Sequence, residues 1–349
     1  MMSSPKLRFV FLHIMWLAAL FSFPGCGGDG SPDVSAVKVE IKSQRFDRDL
    51  AALDTNDLGT GLQELKNQYP EFLDLYLDRV MGFRVLGSYA NENPAISEGL
   101  RSFLTEKDYR GLFDTVEKHY PDTKSVEKEL KKGFQYMKYY FPNYKEPNIT
   151  YFVSGLANWG AFLYGEHSLA IGLDMFLGKD YPFYRSVGLQ DYLNVYFREE
   201  YIPVAALRNV YQEMYPDTLE DKNLLELMIQ RGKEYYFLSK VLPFVPEDVR
   251  LGYTPQQLED ITGREAFIYN FFVQKDLLYS TSVERIFSFV HDGPGTPEIS
   301  DQCPGNIGSW IGYRIILAYM KQRPDTRMQD LFANKDAKSI FIYSKYKPE

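Results

Sequence analysis

The chain has 349 residues, of which 45% are hydrophobic and 16% aromatic, with two cysteines, four histidines and a net charge of −8. The apolar fraction excludes wholesale disorder, two cysteines exclude a disulfide-built scaffold, and four histidines leave little material for a multi-histidine metal centre. The acidic balance argues against nucleic acid and against a polybasic membrane-surface contact.

Residues 1–25 carry Lys6 and Arg8, then an apolar run from Phe9 to Phe23 that contains no acid. The run is shorter than the ~20 residues of a spanning helix, so it reads as a signal peptide. It closes on Ser22-Phe23-Pro24-Gly25-Cys26, which resembles a bacterial lipobox, and Cys26 is therefore the expected site of lipid attachment. Residues 26–36, rich in glycine, read as a flexible tether. Residues 37–349 are expected to form a single helix-rich domain with an N-terminal helical part (37–147) and a second part (148–349).

Val37, Val39 and Ile41 alternate with charged residues and predict a half-buried strand. From about 57 to 141 the pattern is helical, cut by Pro70, Pro94, Pro121 and Pro142. Its clearest stripe is Val126, Leu130, Phe134, Met137 and Phe141, a core-facing helix side. Ile149–Val153 reads as a strand, and Gly165-Glu166-His167 joins Ala161–Tyr164 to Ser168–Leu173 as a hairpin. Helices resume near 187. Thr254-Pro255-Gln256-Gln257 and Thr326-Arg327-Met328-Gln329 read as capping boxes. Residues 291–306, with three prolines and three glycines, form the longest loop. The fold class is α+β, mostly α-helical, with a small antiparallel sheet in the middle of the chain.

Tests for chemistry are mostly negative. Gly172 to Gly178-Lys179 misses the phosphate-loop spacing, and Asp180 replaces the hydroxyl that would hold magnesium. No Gly-x-Ser-x-Gly elbow occurs. Cys303, the second cysteine, has no histidine at a motif spacing and reads as an inert thiol. His119, His167 and His291 lie far apart and none has a partner four residues on, so they read as surface or packing residues rather than ligands. Glu199-Glu200 is a possible half of an acid/base pair, a doublet common in helical proteins. The 27 tyrosines and 25 phenylalanines suit a core, with a glycan-binding face as the alternative.

Four segments together resemble the gliding-motility lipoprotein GldB family of Bacteroidota: Arg45–Leu50, Ile171–Gly178 with Lys179-Asp180-Tyr181-Pro182, Leu251–Thr254, and Gly305–Ile316. With the lipobox they run through most of the chain in order. The resemblance implies an exported, lipid-anchored cell-envelope protein associated with gliding movement and the secretion linked to it. It further implies attachment to a membrane through the N-terminal lipid, envelope protein partners, no nucleic acid and no cofactor. The expected location is the outer membrane, facing the periplasm.

Residues 150–345 also resemble zincin-type metallopeptidases in their order of elements. In that register Glu199-Glu200-Tyr201-Ile202-Pro203 stands where His-Glu-x-x-His would, and Arg231-Gly232 stands where a third ligand would. Glu199, Glu200, Pro203 and Arg231 are thus candidates for a vestigial site. Pro203 offers no donor atom and Arg231 brings a cation, so no metal and no catalytic residue is expected, and Glu200 and Arg231 are expected to face each other. Pro203 is compatible either with a kink inside one helix or with a break between two. Gly308 and Gly312, one turn apart, predict close helix packing. The leading functional expectation is a non-catalytic envelope component acting through partners. The alternatives are a glycan-binding lipoprotein and a hydrolase with atypical ligands.

Overall fold

The computed structural model describes residues 30–85, 89, 93–157, 159–216 and 221–348. The signal peptide 1–25, Cys26 and the start of the tether lie outside the described residues. The tether ends earlier than position 36. Val34 is buried in the core, its carbonyl accepts from the Val37 amide at 2.9 Å, and residues from Val34 onward form one compact unit.

The organising element is a four-stranded sheet made of β1 (Ser43–Arg45), β2 (Asn148–Phe152), β3 (Ala161–Tyr164) and β4 (Ser168–Gly172). Its order is β1-β2-β4-β3, with β1, β2 and β4 parallel and β3 antiparallel to β4. The expected hairpin is present, turning at Gly165 in the left-handed region (φ +57°). The sheet is nevertheless mixed, not antiparallel. Ile149-Thr150-Tyr151-Phe152 and Leu169-Ala170-Ile171 are continuous buried runs, as expected of central strands covered on both faces. β1 reaches the sheet from the far N-terminal side, and a parallel neighbour requires a crossover, which the helices of residues 46–147 provide.

The expected strand at 37–41 does not form, and pairing begins only at Ser43. Its alternation does record one-sided burial, with Val39 buried and Lys38 and Glu40 exposed. Side chains satisfy this backbone in place of a ladder: Gln135 donates to the Val37 carbonyl at 2.9 Å, and the Glu40 amide donates to Glu146.

The crossover begins with α1 (Phe46–Ala51), α2 (Leu58–Gln68) and α3 (Phe72–Leu75), which runs into one π-helical turn at Tyr76–Val80. Phe46 sits edge-on to Tyr69, Phe72 and Tyr76 with ring centroids 4.8–5.0 Å apart, so this aromatic set is core. Next come α4 (Pro94–Thr105), α5 (Lys107–His119) and α6 (Lys124–Tyr140). Pro94 opens α4 where its missing amide costs nothing, and the whole Val126-to-Phe141 stripe of α6 is buried.

Beyond the sheet lie the short α7 (Phe183–Ser186), then α8 (Ile202–Met214), α9 (Leu224–Val241) and α10 (Glu247–Leu251). The chain continues through α11 (Pro255–Gly263), α12 (Glu265–Gln274), α13 (Val283–Val290) and α14 (Ile307–Gln322). It ends with α15 (Met328–Ala333) and α16 (Ala337–Ser344). The Thr254 box forms in full, with both reciprocal bonds to Gln257. The Thr326 box does not: Arg327 occupies the cap position, no side chain caps the helix, and Arg327 pairs instead with Asp330.

The most extensive helix–helix contact joins α9 to α14, and glycine makes it possible. A Cβ on Gly312 would lie 1.7 Å from the Met228 carbonyl oxygen, and one on Gly232 would lie 2.3 Å from the Gly312 carbonyl carbon. The two backbones touch, so the glycine spacing does report close packing.

Candidate functional site

Pro203 lies in the first turn of α8, and Glu199–Tyr201 forms a separate 3₁₀ turn before it. The proline therefore marks a break between elements. Glu199 and Pro203 do not share an α-helical face, which two ligands four residues apart would need. Glu199 accepts from the Ser125 hydroxyl at 2.8 Å and lies 3.9 Å from His119 Nε2. Glu200 is exposed. Arg231, on α9, approaches Glu234 of the same helix at 3.4 Å. Among the described residues Glu200 and Arg231 form no ion pair, and the charged pair buried between α8 and α9 is a different one.

That pair is Arg208 of α8 with Glu234 of α9, Nε to Oε1 at 2.9 Å, with side chains 19% and 6% exposed. Gln212, one turn beyond Arg208, donates to Glu234 Oε2 at 3.2 Å. Arg208 Nη1 also donates to the Tyr201 hydroxyl, and its guanidinium lies within 6 Å of the Tyr201 and Tyr235 ring centres. Burial works against the charge on Arg208, but the Tyr201 hydroxyl and the Glu234 carboxylate hold its pKa above the usual arginine value. Burial pushes Tyr201 up to about 12 even though Arg208 pulls it down. The cation and the protonated phenol therefore coexist throughout the physiological range.

The network continues outward. The Tyr196 ring lies tilted against Tyr201, centroids 4.9 Å apart, and its hydroxyl donates to Asp292 at 2.8 Å. Asn306 Nδ2 donates to the same Asp292 oxygen at 3.0 Å and to the Tyr235 hydroxyl at 3.2 Å. Tyr253 donates to the Asn306 carbonyl at 3.1 Å. Asp292, Asn306, Tyr196 and Tyr253 line a cleft of about 160 Å³ in which Asn306 Oδ1 has no hydrogen-bond partner. Burial, together with the charge on Asp292, raises the Tyr196 pKa, so its hydroxyl remains a donor. Chemically, the arrangement is a fixed donor–acceptor frame running from a buried ion pair to an open cleft.

This frame explains two of the four signature segments. Gly252 adopts φ +76° at the end of α10, and a Cβ there would meet the Tyr196 ring at 2.4 Å. Asn306, also left-handed (φ 60°), precedes α14 and ties the loop to Tyr235. The other two segments have tying roles. Arg45 grips Asp47 with two nitrogens and donates to the Tyr120 carbonyl, while Arg48 pairs with Glu117. The Tyr120 hydroxyl reaches the Phe176 carbonyl at 2.7 Å, which joins the first segment to the second. Asp174 is fully buried and accepts from the Ser154 amide and hydroxyl and from the Leu156 amide. Burial drives its pKa up, and those donors pull against the rise. They fix a turn in which Gly155 and Leu156 both have positive φ.

His167 lies on the exposed hairpin turn, and His291 stacks on Phe287 at 3.7 Å. Among the described residues no group of three or more His, Cys, Asp or Glu could hold a metal ion. The loop 291–306 folds on itself through Thr296, which donates to the Pro304 carbonyl and whose amide donates to the Cys303 carbonyl. Burial pushes the Cys303 thiol up to about 11, so at pH 8 it is held in the protonated, unreactive form. With Cys26→Ser removing the other thiol, folded protein at pH 8 is expected to stay unmodified by iodoacetamide while unfolded protein is labelled fully. Intact-mass measurement decides this, and rapid stoichiometric labelling of folded protein contradicts it.

The signature segments thus converge on one helix-rich frame around a small mixed sheet. A family model described as gliding motility protein GldB matches residues 28–348, and the chain belongs to that family. Membership makes it a gliding-motility-associated lipoprotein. No curated protein and no solved structure matches the chain. No described helix is long and apolar enough to cross a membrane.

Proposed function

We propose that the protein is a non-catalytic component of the cell envelope, tethered through Cys26 to the outer membrane on its periplasmic side and acting by contact with other envelope proteins. The observation that carries the non-catalytic part is the commitment of the α8–α9 groups to one another. Arg208 and Arg231 both engage Glu234, and Glu199 engages Ser125 and His119. On this reading the C-terminal part is peptidase-like in its order of elements but keeps no ligand set, since Pro203 offers no donor atom and Arg231 brings a cation. Family membership supports the envelope and motility setting.

Two measurements test the proposal. Elemental analysis of purified protein is expected to return no stoichiometric metal, and one bound zinc per chain would overturn the non-catalytic reading. Crosslinking in intact cells followed by mass spectrometry is expected to recover envelope proteins joined to the folded part. Crosslinks confined to lipid and to the chain itself would overturn the partner reading.

A further inference from the structure

α6 buries the stripe from Val126 to Met137 and turns its opposite side to water. Lys124, Lys128, Lys131 and Lys132 are exposed there, Lys138 is half-buried, and Tyr139 ends the row with 49% of its surface exposed. At 100° per residue these six positions fall within an arc of about 120°. The two acids of the helix, Glu127 and Glu129, fall outside it, and Glu127 is taken up by the Ser43 and Thr123 hydroxyls at 2.6 and 2.8 Å. Lys124 and Lys138 pair with Asp122 and Glu146, and Lys132 Nζ lies 4.1 Å from the Phe244 ring centre. Among the described residues Lys128 and Lys131 have no ion-pair partner. Like charges three and four residues apart work against a helix, so the stability of α6 does not account for this spacing. The net charge of −8 is an average that this face departs from, and salt screens the acidic remainder beyond about 10 Å.

The route of the N-terminal segment brings the lysine row close to the anchor. Gln135, inside the same arc, donates to the Val37 carbonyl at 2.9 Å, and Glu146, the partner of Lys138, also accepts from the Glu40 amide. Val34, where the folded unit begins, is eight positions from Cys26, a span of at most about 28 Å. α6 itself is about 25 Å long. A lipid on Cys26 therefore keeps a bilayer surface within reach of the whole row.

We propose that the α6 lysine row docks on anionic lipid headgroups of the membrane that holds the Cys26 anchor, with Tyr139 entering the interfacial layer. This rests on the anchoring part of the function proposed above and not on its protein-partner part.

Sedimentation with vesicles tests it, using the mature chain from position 26 with Cys26→Ser, so that no acyl chain contributes. This form retains the whole compact unit from Val34 onward. Vesicles of phosphatidylcholine with about 30 mol% phosphatidylglycerol are expected to bind at least about tenfold more tightly than phosphatidylcholine alone. Raising salt from about 50 to about 500 mM should abolish the difference. Lys128→Gln with Lys131→Gln should weaken binding about 25-fold, at roughly fivefold per lysine, and the corresponding arginine pair should retain it. Lys275→Gln with Lys321→Gln, an equal charge change on other elements, should stay within about twofold. No preference for the anionic vesicles overturns the proposal, as does an equal loss in the two glutamine pairs. Intact mass of the wild-type protein without an acyl adduct on Cys26 would overturn the anchor, and with it the choice of membrane, whatever the vesicles show.

Discussion

Gly312→Ala is expected to destabilise the fold by about 3 kcal/mol or more, at the upper end of what overpacking costs. The new methyl group would sit 1.7 Å from the Met228 carbonyl oxygen and 2.4 Å from its carbon. Those atoms belong to the α9 backbone, so no side chain can swing aside, and the two helices must part. Their separation loosens the crossing that also positions Tyr235 and Asn306. Gly111→Ala in α5 is the matched control, since nothing lies within 4 Å of a Cβ there. In that open helical position alanine is expected to stabilise by about 0.5–1 kcal/mol. Urea unfolding of both variants makes the comparison. Equal and small effects would mean that the α9–α14 contact is far looser than its geometry.

The second large effect is expected at Glu234. Glu234→Gln keeps the shape but leaves Arg208 without a counter-charge, which at such depth costs about 3–5 kcal/mol, toward the lower figure because Arg208 is 19% exposed. Arg231→Ala should cost much less, because its side chain is 28% exposed and water can replace it. Changing both members, Arg208→Met with Glu234→Met, is expected to cost less than Glu234→Gln alone, because the one charge left behind, on Arg231, is 28% exposed and is met by water. A double-mutant cycle on unfolding free energies reads this directly. Additive costs would refute the coupling.

Local periodicity made the helical half of this fold legible, and long-range pairing was not. The α6 stripe and the β3–β4 hairpin are written in residues a few positions apart, and both formed as read. β1 pairs with β2 across more than a hundred residues of sequence, and nothing in Ser43-Gln44-Arg45 announces a parallel neighbour. The strand signal at 37–41 was real as burial but mistaken as pairing, because side chains from α6 and its exit loop met the backbone first. The Thr326 box failed because its fourth member is engaged elsewhere: the Gln329 amide donates to the Tyr140 carbonyl at 2.6 Å.

The site divides in the same way. Glu199, Glu200, Pro203 and Arg231 were located by register against a peptidase frame, and the structure spreads them over a 3₁₀ turn, α8 and α9. Arg208 and Glu234 carried a signal that was available. Arg208 is the only charge in the stretch Ile202–Val210, and Glu234 shares its helix face with Arg231, one turn back. A charge on a buried helix face asks for a partner, but one sequence does not say which partner it finds. Tyr196, Asp292 and Asn306 meet only through the fold.

The position of β1 has a mechanical consequence. Tension applied at the N-terminus enters the folded unit at Val34 and Val39 and then passes along β1, which is parallel to β2 and loaded lengthwise. A strand pulled along its axis shares the load over its whole set of ladder bonds instead of releasing them one at a time. Directly behind it, Arg45 is clamped to Asp47 and to the Tyr120 carbonyl, and the Tyr120 hydroxyl is tied to the Phe176 carbonyl in the turn that follows β4. A pull from the N-terminal side is thereby spread across the fold's interior, a property suited to a gliding-motility-associated lipoprotein.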